Sequence, residues 1–185
     1  MPCKSWSLPA WESCPSAKGK DNKPVDACNY CYALTGAYRF PATIASRAHN
    51  MEDWKCDDWV SVMVNKIGKS KYFRWFDSGD VYSLKLAEKI YHVMALTENC
   101  KHWLPTRMYK DTNFVPIFEQ MNTLPNVVVR YSSDSINGAI VMSNSAPTST
   151  IIQSADAFKP SKGESLCRAF TRKGKCGDCR ACWSK

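Results

Sequence analysis

A chain of 185 residues with 44% hydrophobic residues and a net charge of +8 is long enough for one domain with a genuine core, and too apolar to be disordered. Its longest apolar runs, such as the valines at 127–129, are far too short to span a membrane, and the N-terminal run MPCKSWSLPAWESC lacks the continuous apolar stretch of a signal peptide. A cytoplasmic location is expected, where thiols stay reduced and clustered cysteines read as metal ligands more readily than as disulfides.

Residues 1–40 read as irregular, broken by Pro9, Pro15, Gly19, Pro24 and Gly36, and a bound metal would suffice to order them. From Pro41 the pattern turns helical, with Ala42, Ile44, Ala45 and Ala48 following a proline suited to a first turn. Asp57 or Asp58 caps a second predicted helix carrying Val60, Val64 and Ile67 on one side and ending near Gly68. The run KYFRWF at 71–76 predicts a buried strand that ends in Asp77, Ser78, Gly79 and Asp80. Ser83 then caps an amphipathic helix with Leu84, Ala87, Ile90, Tyr91 and Met94 on one side. Residues 102–106 predict a strand. Residues 112–121 predict a helix in which Pro116 implies a kink. Residues 126–131 predict a β-branched strand, and 139–142 and 149–153 could each add another.

Strands alternating with helices imply parallel βαβ units. With about four to six candidate strands the chain is too short for an eight-unit barrel of roughly 250 residues. The expected fold class is α/β: a partial, open βα barrel with a mostly parallel sheet. It forms a single domain, with a cysteine-rich segment at 1–40, an α/β core at 41–155 and a basic cysteine-rich segment at 156–185. Ligands of a parallel sheet sit outside the carboxyl ends of its strands. Three predicted strand ends are polar there: Asp77 to Asp80, Thr106 with Arg107, and Ser132, Ser133 and Asp134. Each alone reads equally as turn and cap chemistry; together, on one edge, they point to a ligand site.

Seven of the ten cysteines fall in two groups at opposite ends of the chain. Cys167, Cys176, Cys179 and Cys182 have C-x8-C-x2-C-x2-C spacing. Paired C-x2-C knuckles typify structural zinc, whereas a tight C-x2-C-x2-C triple matches the spacing with which ferredoxins grip a cubane. Cys14, Cys28 and Cys31 are three, in C-x13-C-x2-C spacing. A cluster held by three thiolates leaves one iron without a protein ligand, as at catalytic metals. Alternatively Cys3, Cys56 or Cys100 closes that site, or those three are plain packing. Between Lys159 and Lys185, eight basic residues stand against Glu164 and Asp178. This tail reads either as a nucleic-acid patch or as the counter-charge of a thiolate site.

The segment CNYCYA, at 28–33, resembles the end of the radical S-adenosylmethionine signature C-x3-C-x-aromatic-C, with thirteen residues in place of the first three. CPSAKGKDNKPVDACNYCYALTGAY, FRWFDSGDVYS, NVVVRYSSDS and CGDCRACW resemble, over most of the chain, the phage gene product 88-like family of bacteriophages and mobile elements. The radical-enzyme resemblance implies that Cys14, Cys28 and Cys31 hold a [4Fe-4S] cluster whose open iron chelates S-adenosylmethionine. It implies that Ser78, Gly79 and Asp80, here SGD rather than the usual GGE, meet the methionine amino group. Ser132, Ser133 and Asp134 would contact the ribose or substrate, and Arg107 a carboxylate or phosphate. Cys167, Cys176, Cys179 and Cys182 would hold an auxiliary cluster. Trp6, Trp11, Tyr30, Tyr32 and Tyr38 would wall the first cluster from water, or simply pack a loop-rich segment.

Three functions follow from these readings. The first is an iron–sulfur enzyme using S-adenosylmethionine. The second is a non-catalytic iron–sulfur electron carrier or scaffold; both it and the first expect a redox partner. The third is a zinc-stabilised nucleic-acid-binding protein that uses the basic tail. His49, His92 and His102 are scattered and no phosphate loop occurs, which leaves hydrolase chemistry without support.

Overall fold

The computed structural model describes residues 3–137, 139, 141, 143–154, 159 and 163–185. Five strands form one open sheet in the order β1-β2-β3-β4-β5, and every neighbouring pair is parallel. The strands are β1 (Lys4–Trp6), β2 (Tyr72–Trp75), β3 (Lys101–Thr106), β4 (Val127–Ser132) and β5 (Thr148–Ser149). Helices α1 (Pro41–Asp53) and α2 (Trp59–Ile67) connect β1 to β2. Helix α3 (Leu84–Ala95) connects β2 to β3, and α4 (Val115–Thr123) connects β3 to β4. Sequential order and uniform direction make this the partial, open βα arrangement expected from the alternation of elements.

The main departure from the sequence-based expectation is β1. Residues 1–40 were expected to be irregular throughout, but Lys4–Trp6 pairs with Phe73–Trp75 as an edge strand. Three residues are too few to show a period of two. Pro116 causes no kink. The expected helix at 112–121 begins as a 3-10 turn over Thr112–Phe114, and Pro116 falls in the first turn of α4, where its missing N–H is harmless. The strand expected at 149–153 is shorter and earlier, at Thr148–Ser149. Of the strand expected at 139–142, positions 140 and 142 lie outside the described residues, and Ala139 and Val141 are not in a strand. Ser83 and Asp58 occupy the positions before α3 and α2 without a side-chain capping bond.

The two faces of the sheet differ in chemistry. Phe73 and Trp75, Leu104, and Val127, Val129 and Tyr131 point to one face. There they form one apolar core with Trp59, Met63 and Ile67 of α2, Leu86, Ile90 and Met94 of α3, and Phe118 and Met121 of α4. Trp6, expected beside a cluster, belongs to this core and packs edge-on against Trp59, Trp75 and Phe76. The alternate residues Tyr72, Arg74, Trp103 and Arg130 face the other way and are covered by the C-terminal segment. Trp183 donates from Nε1 to the Phe73 carbonyl (3.0 Å) and meets the rings of Tyr72 and Trp103 edge-on. Arg130 donates to the Ser184 carbonyl at 2.8 Å.

Candidate metal centres

The thirteen-residue gap between Cys14 and Cys28 closes on itself. After Cys14 the chain makes a 3-10 turn over Pro15–Ala17, and Lys18 then bridges antiparallel to Pro24. The amides of Gly19 and Val25 bond to the carbonyls of Lys23 (2.8 Å) and Ala17 (2.9 Å). This small hairpin returns the chain beside its start, and a second 3-10 turn over Asp26–Cys28 delivers Cys28.

Strand ends then hold each of the three cysteines in place. The Asp80 amide, past the end of β2, donates to the Ser13 carbonyl beside Cys14 (3.1 Å). The Ala27 amide, beside Cys28, donates to the Asp134 carbonyl past the end of β4 (2.8 Å). Next to Cys31, the Tyr32 hydroxyl donates to the Asp77 carbonyl, and Tyr38 donates to Asp77 Oδ2, both at 2.6 Å. Gly79 permits the first of these contacts. Its φ is +79°, and a Cβ there would lie 2.5 Å from Ser13 Oγ and 2.7 Å from Leu8 Cβ. Phe76, just before, has φ 56°, so the backbone is strained where β2 hands over to the site.

The strand-end residues are tied to one another across the edge. Asp80 is buried and accepts from the Val81 amide, the Thr106 hydroxyl and the Arg107 amide, at 2.7, 2.7 and 2.9 Å. Burial raises its pKa, against the pull of those donors. Arg107 reaches from β3 to β4, donating from Nε and a terminal nitrogen to the Ser133 carbonyl and pairing with Asp134 at 3.3 Å. Lys110 bonds the other oxygen of Asp134 at 2.7 Å. The Ser132 carbonyl accepts from Tyr109, the Ser133 hydroxyl accepts from the Ser135 amide, and the Ser78 hydroxyl donates to the Leu8 carbonyl. Every strand-end residue singled out from the sequence thus stands at this edge. Ser78, Asp80 and Arg107 also brace this edge internally.

The thiols are electrostatic neighbours. Burial pushes Cys14 up to about 12, and the negative charges of Asp80, Cys28 and Cys31 add to it. Burial also raises Cys28, which Arg107 and Lys110 pull down and Cys31 and Asp134 push up. In the C-terminal group, burial raises Cys182, and Cys167, Cys176 and Cys179 raise it further against Arg130. All ten cysteines are free. Cys56 is exposed and Cys100 is buried, its thiol pushed up to about 12 by burial.

Among the described residues, no three His, Cys, Asp or Glu side chains stand close enough to share one metal ion. A tetrahedral zinc needs thiolate sulfurs about 3.8 Å apart, from Zn–S bonds of about 2.3 Å. A cubane places each thiolate on a separate iron and so holds them wider. The donor chemistry fits an anionic thiolate group at the C-terminal site. Arg130 and Arg180 each keep a buried Nε without an acceptor, and Arg130 lies beside Cys182. Both side chains are half-buried, and their terminal nitrogens donate to the carbonyls of Thr148, Ser184, Gly177 and Cys179.

Sequence reasoning passed over Lys110 and the sheet arginines, and it did not foresee that Tyr38 bonds Asp77. One signal was available: parallel strands buried on both faces are nearly all apolar, and Arg74 and Arg130 interrupt theirs. The fold defines a cysteine-rich parallel α/β protein with three cysteines near the ends of its strands and four in the C-terminal segment that covers one face of its sheet. The chain belongs to the gene product 88 family, whose sequence profile matches residues 1–185. Comparison with curated proteins and with solved structures finds no match.

Proposed function

We propose that this is an iron–sulfur protein with two [4Fe-4S] sites on a reduced radical-enzyme-like fold, and that the three-thiol site binds S-adenosylmethionine for reductive cleavage. The observation that carries the proposal is the convergence of Cys14, Cys28 and Cys31 at the carboxyl edge of the sheet, each fixed by a different strand-end contact. Cys14, Cys28 and Cys31 would hold one cluster, and Cys167, Cys176, Cys179 and Cys182 the other. A bound cluster of this kind supplies one electron to a neighbouring sulfonium. The protein's own part is positional. Burial raises the Cys28 thiol, and Arg107 and Lys110 place positive charge beside it that partly offsets that cost. Tyr32 and Tyr38, packed edge-on at 5.3 Å, hold the Cys31 turn against Asp77.

A second reading, a non-catalytic electron carrier or scaffold, draws support from Ser78, Asp80 and Arg107, whose donors and acceptors are engaged within the protein. Either reading implies a redox partner, and we place the protein in the cytoplasm of a host cell, as a bacteriophage product. Zinc and nucleic acid form the remaining alternative. Against it, Arg180 of the basic tail donates to its own segment's carbonyls and lies over the Tyr72 ring. No described helix is long and apolar enough to cross a membrane.

The deciding experiment is anaerobic purification with an absorption spectrum and iron, sulfide and zinc analysis. A brown protein with iron and sulfide supports both iron–sulfur readings; a colourless protein with stoichiometric zinc sinks them. Formation of 5′-deoxyadenosine from S-adenosylmethionine under reduction then selects the enzyme, and failure to bind the cofactor selects the carrier or scaffold.

A further inference from the structure

Cys3 stands apart from both sequence groups, but the sheet brings it to one of them. In β1, Lys4 and Trp6 pair with Phe73 and Trp75, whose side chains lie in the core. Strand alternation therefore sets Cys3 on the opposite face, at the level of Tyr72. That ring carries the C-terminal segment: Arg180 lies 5.1 Å above it and Trp183 packs edge-on at 5.6 Å. The Phe73 carbonyl receives the Trp183 indole. Cys182 lies between these two anchors in sequence, and Cys179 directly precedes them. Burial raises the Cys3 thiol, and the charges acting on it include those of Arg74, Arg180 and Cys176, while Cys3 in turn acts on Cys100. The buried, acceptor-less Nε of Arg180 stands in the same neighbourhood.

We propose that Cys3 is a ligand of the C-terminal cluster site, exchanging with Cys167 for the fourth position beside Cys176, Cys179 and Cys182. This rests on the metal reading of that site. The tight triple grips three irons. The remaining iron is reached either from Cys167, which is exposed and outlying in sequence, or from Cys3, which is half-buried just before β1. In the exchange one iron–sulfur bond forms as the other breaks, and the proton of the incoming thiol passes to the outgoing thiolate. No electron is transferred. The site is then assembled from both ends of the chain, and the cluster would fasten the edge strand to the tail.

The test uses the full chain carrying Cys14→Ala, Cys28→Ala and Cys31→Ala, so that iron and sulfide report the C-terminal site alone. Adding Cys167→Ala or Cys3→Ala singly is expected to keep the iron and the visible absorption, and adding both to abolish them. If Cys167→Ala alone empties the site as fully as the pair does, or if the pair still binds iron, the proposal is overturned. Alkylation of the unaltered chain, read by mass spectrometry with and without its cluster, avoids any dependence on variant folding. Cys176, Cys179 and Cys182 are expected to be protected by the cluster and Cys3 and Cys167 each to be slowed by it, while Cys56 reacts alike in both states. Cys3 reacting at the same rate with and without the cluster while Cys182 is protected overturns the role of Cys3 alone. Cys3 and Cys182 both reacting freely, with no iron in the protein, overturns the metal reading and this proposal with it.

Discussion

The residues beside Cys14, Cys28 and Cys31 are tied to three strand ends, at Asp80, Asp134 and Asp77, whereas Cys182 lies in the segment that Trp183 anchors on a sheet face. The first arrangement is held by directional hydrogen bonds at the edge where parallel sheets bind ligands. The second is held by aromatic packing and by arginines that donate to backbone carbonyls. The difference teaches that similar thiols acquire different surroundings from where the sheet puts them: an edge is reached from outside, and a face is covered by packing.

The largest expected effect separates the two groups outright. Removing Cys14, Cys28 and Cys31 together should lower iron and sulfide by about half, as expected if each site holds one cubane. Unchanged iron in that variant would sink the edge site.

Trp183→Ala attacks only the face. Its indole is buried at 6% exposure and bonds the Phe73 carbonyl. Truncation should cost about 3–5 kcal/mol and expose the tail to limited proteolysis. The edge group's iron should stay. Loss of iron from both groups at once would erase the distinction.

Acid should act on the two groups alike, through the sheet they share. His102 is fully buried, accepts from the Trp75 indole at 3.3 Å and lies 2.8 Å from the Thr97 hydroxyl. Burial holds its pKa down at about 4. Between about pH 6.5 and about 4, the unfolded chain binds a proton that the folded one refuses, so stability falls as pH falls through that window, by about 3 kcal/mol in all. Urea midpoints of the wild type and of His102→Gln, measured from pH 7 to 4, should diverge in slope by that amount. Parallel slopes would remove His102 from the account.

Gly79→Ala should act on the edge alone. The new Cβ meets Ser13 and Leu8 at a φ that L-residues rarely adopt, at a cost of about 2 kcal/mol. Cys14 should alkylate faster, with Cys182 unaffected. The smallest effect is at Cys56, exposed and outside both groups. Cys56→Ser should stay within about 0.5 kcal/mol and leave both iron contents unchanged.

Much of this architecture is legible without coordinates. Helices α1 to α3 show their apolar periodicity or their start and stop residues locally, and β2, β3 and β4 show as apolar runs between polar ends. The polar strand ends were readable as one edge because parallel strands all point the same way. The pairing of Lys4–Trp6 with Phe73–Trp75 was not readable, since its partner lies about seventy residues on and loop closure leaves no local trace.

What the sequence by itself determined is the class of fold, the polar residues at the carboxyl edge of its sheet and the presence of two groups of cysteines. These follow from short-range periodicity, strand direction and spacing. Only the tertiary structure decided that the long gap before Cys28 folds into a hairpin, that the tail covers the arginine-bearing face, and that Cys3 lies with the far end of the chain. Each of those depends on which distant surfaces meet, and that is settled by burial and pairing across the whole sheet rather than by any local run of residues.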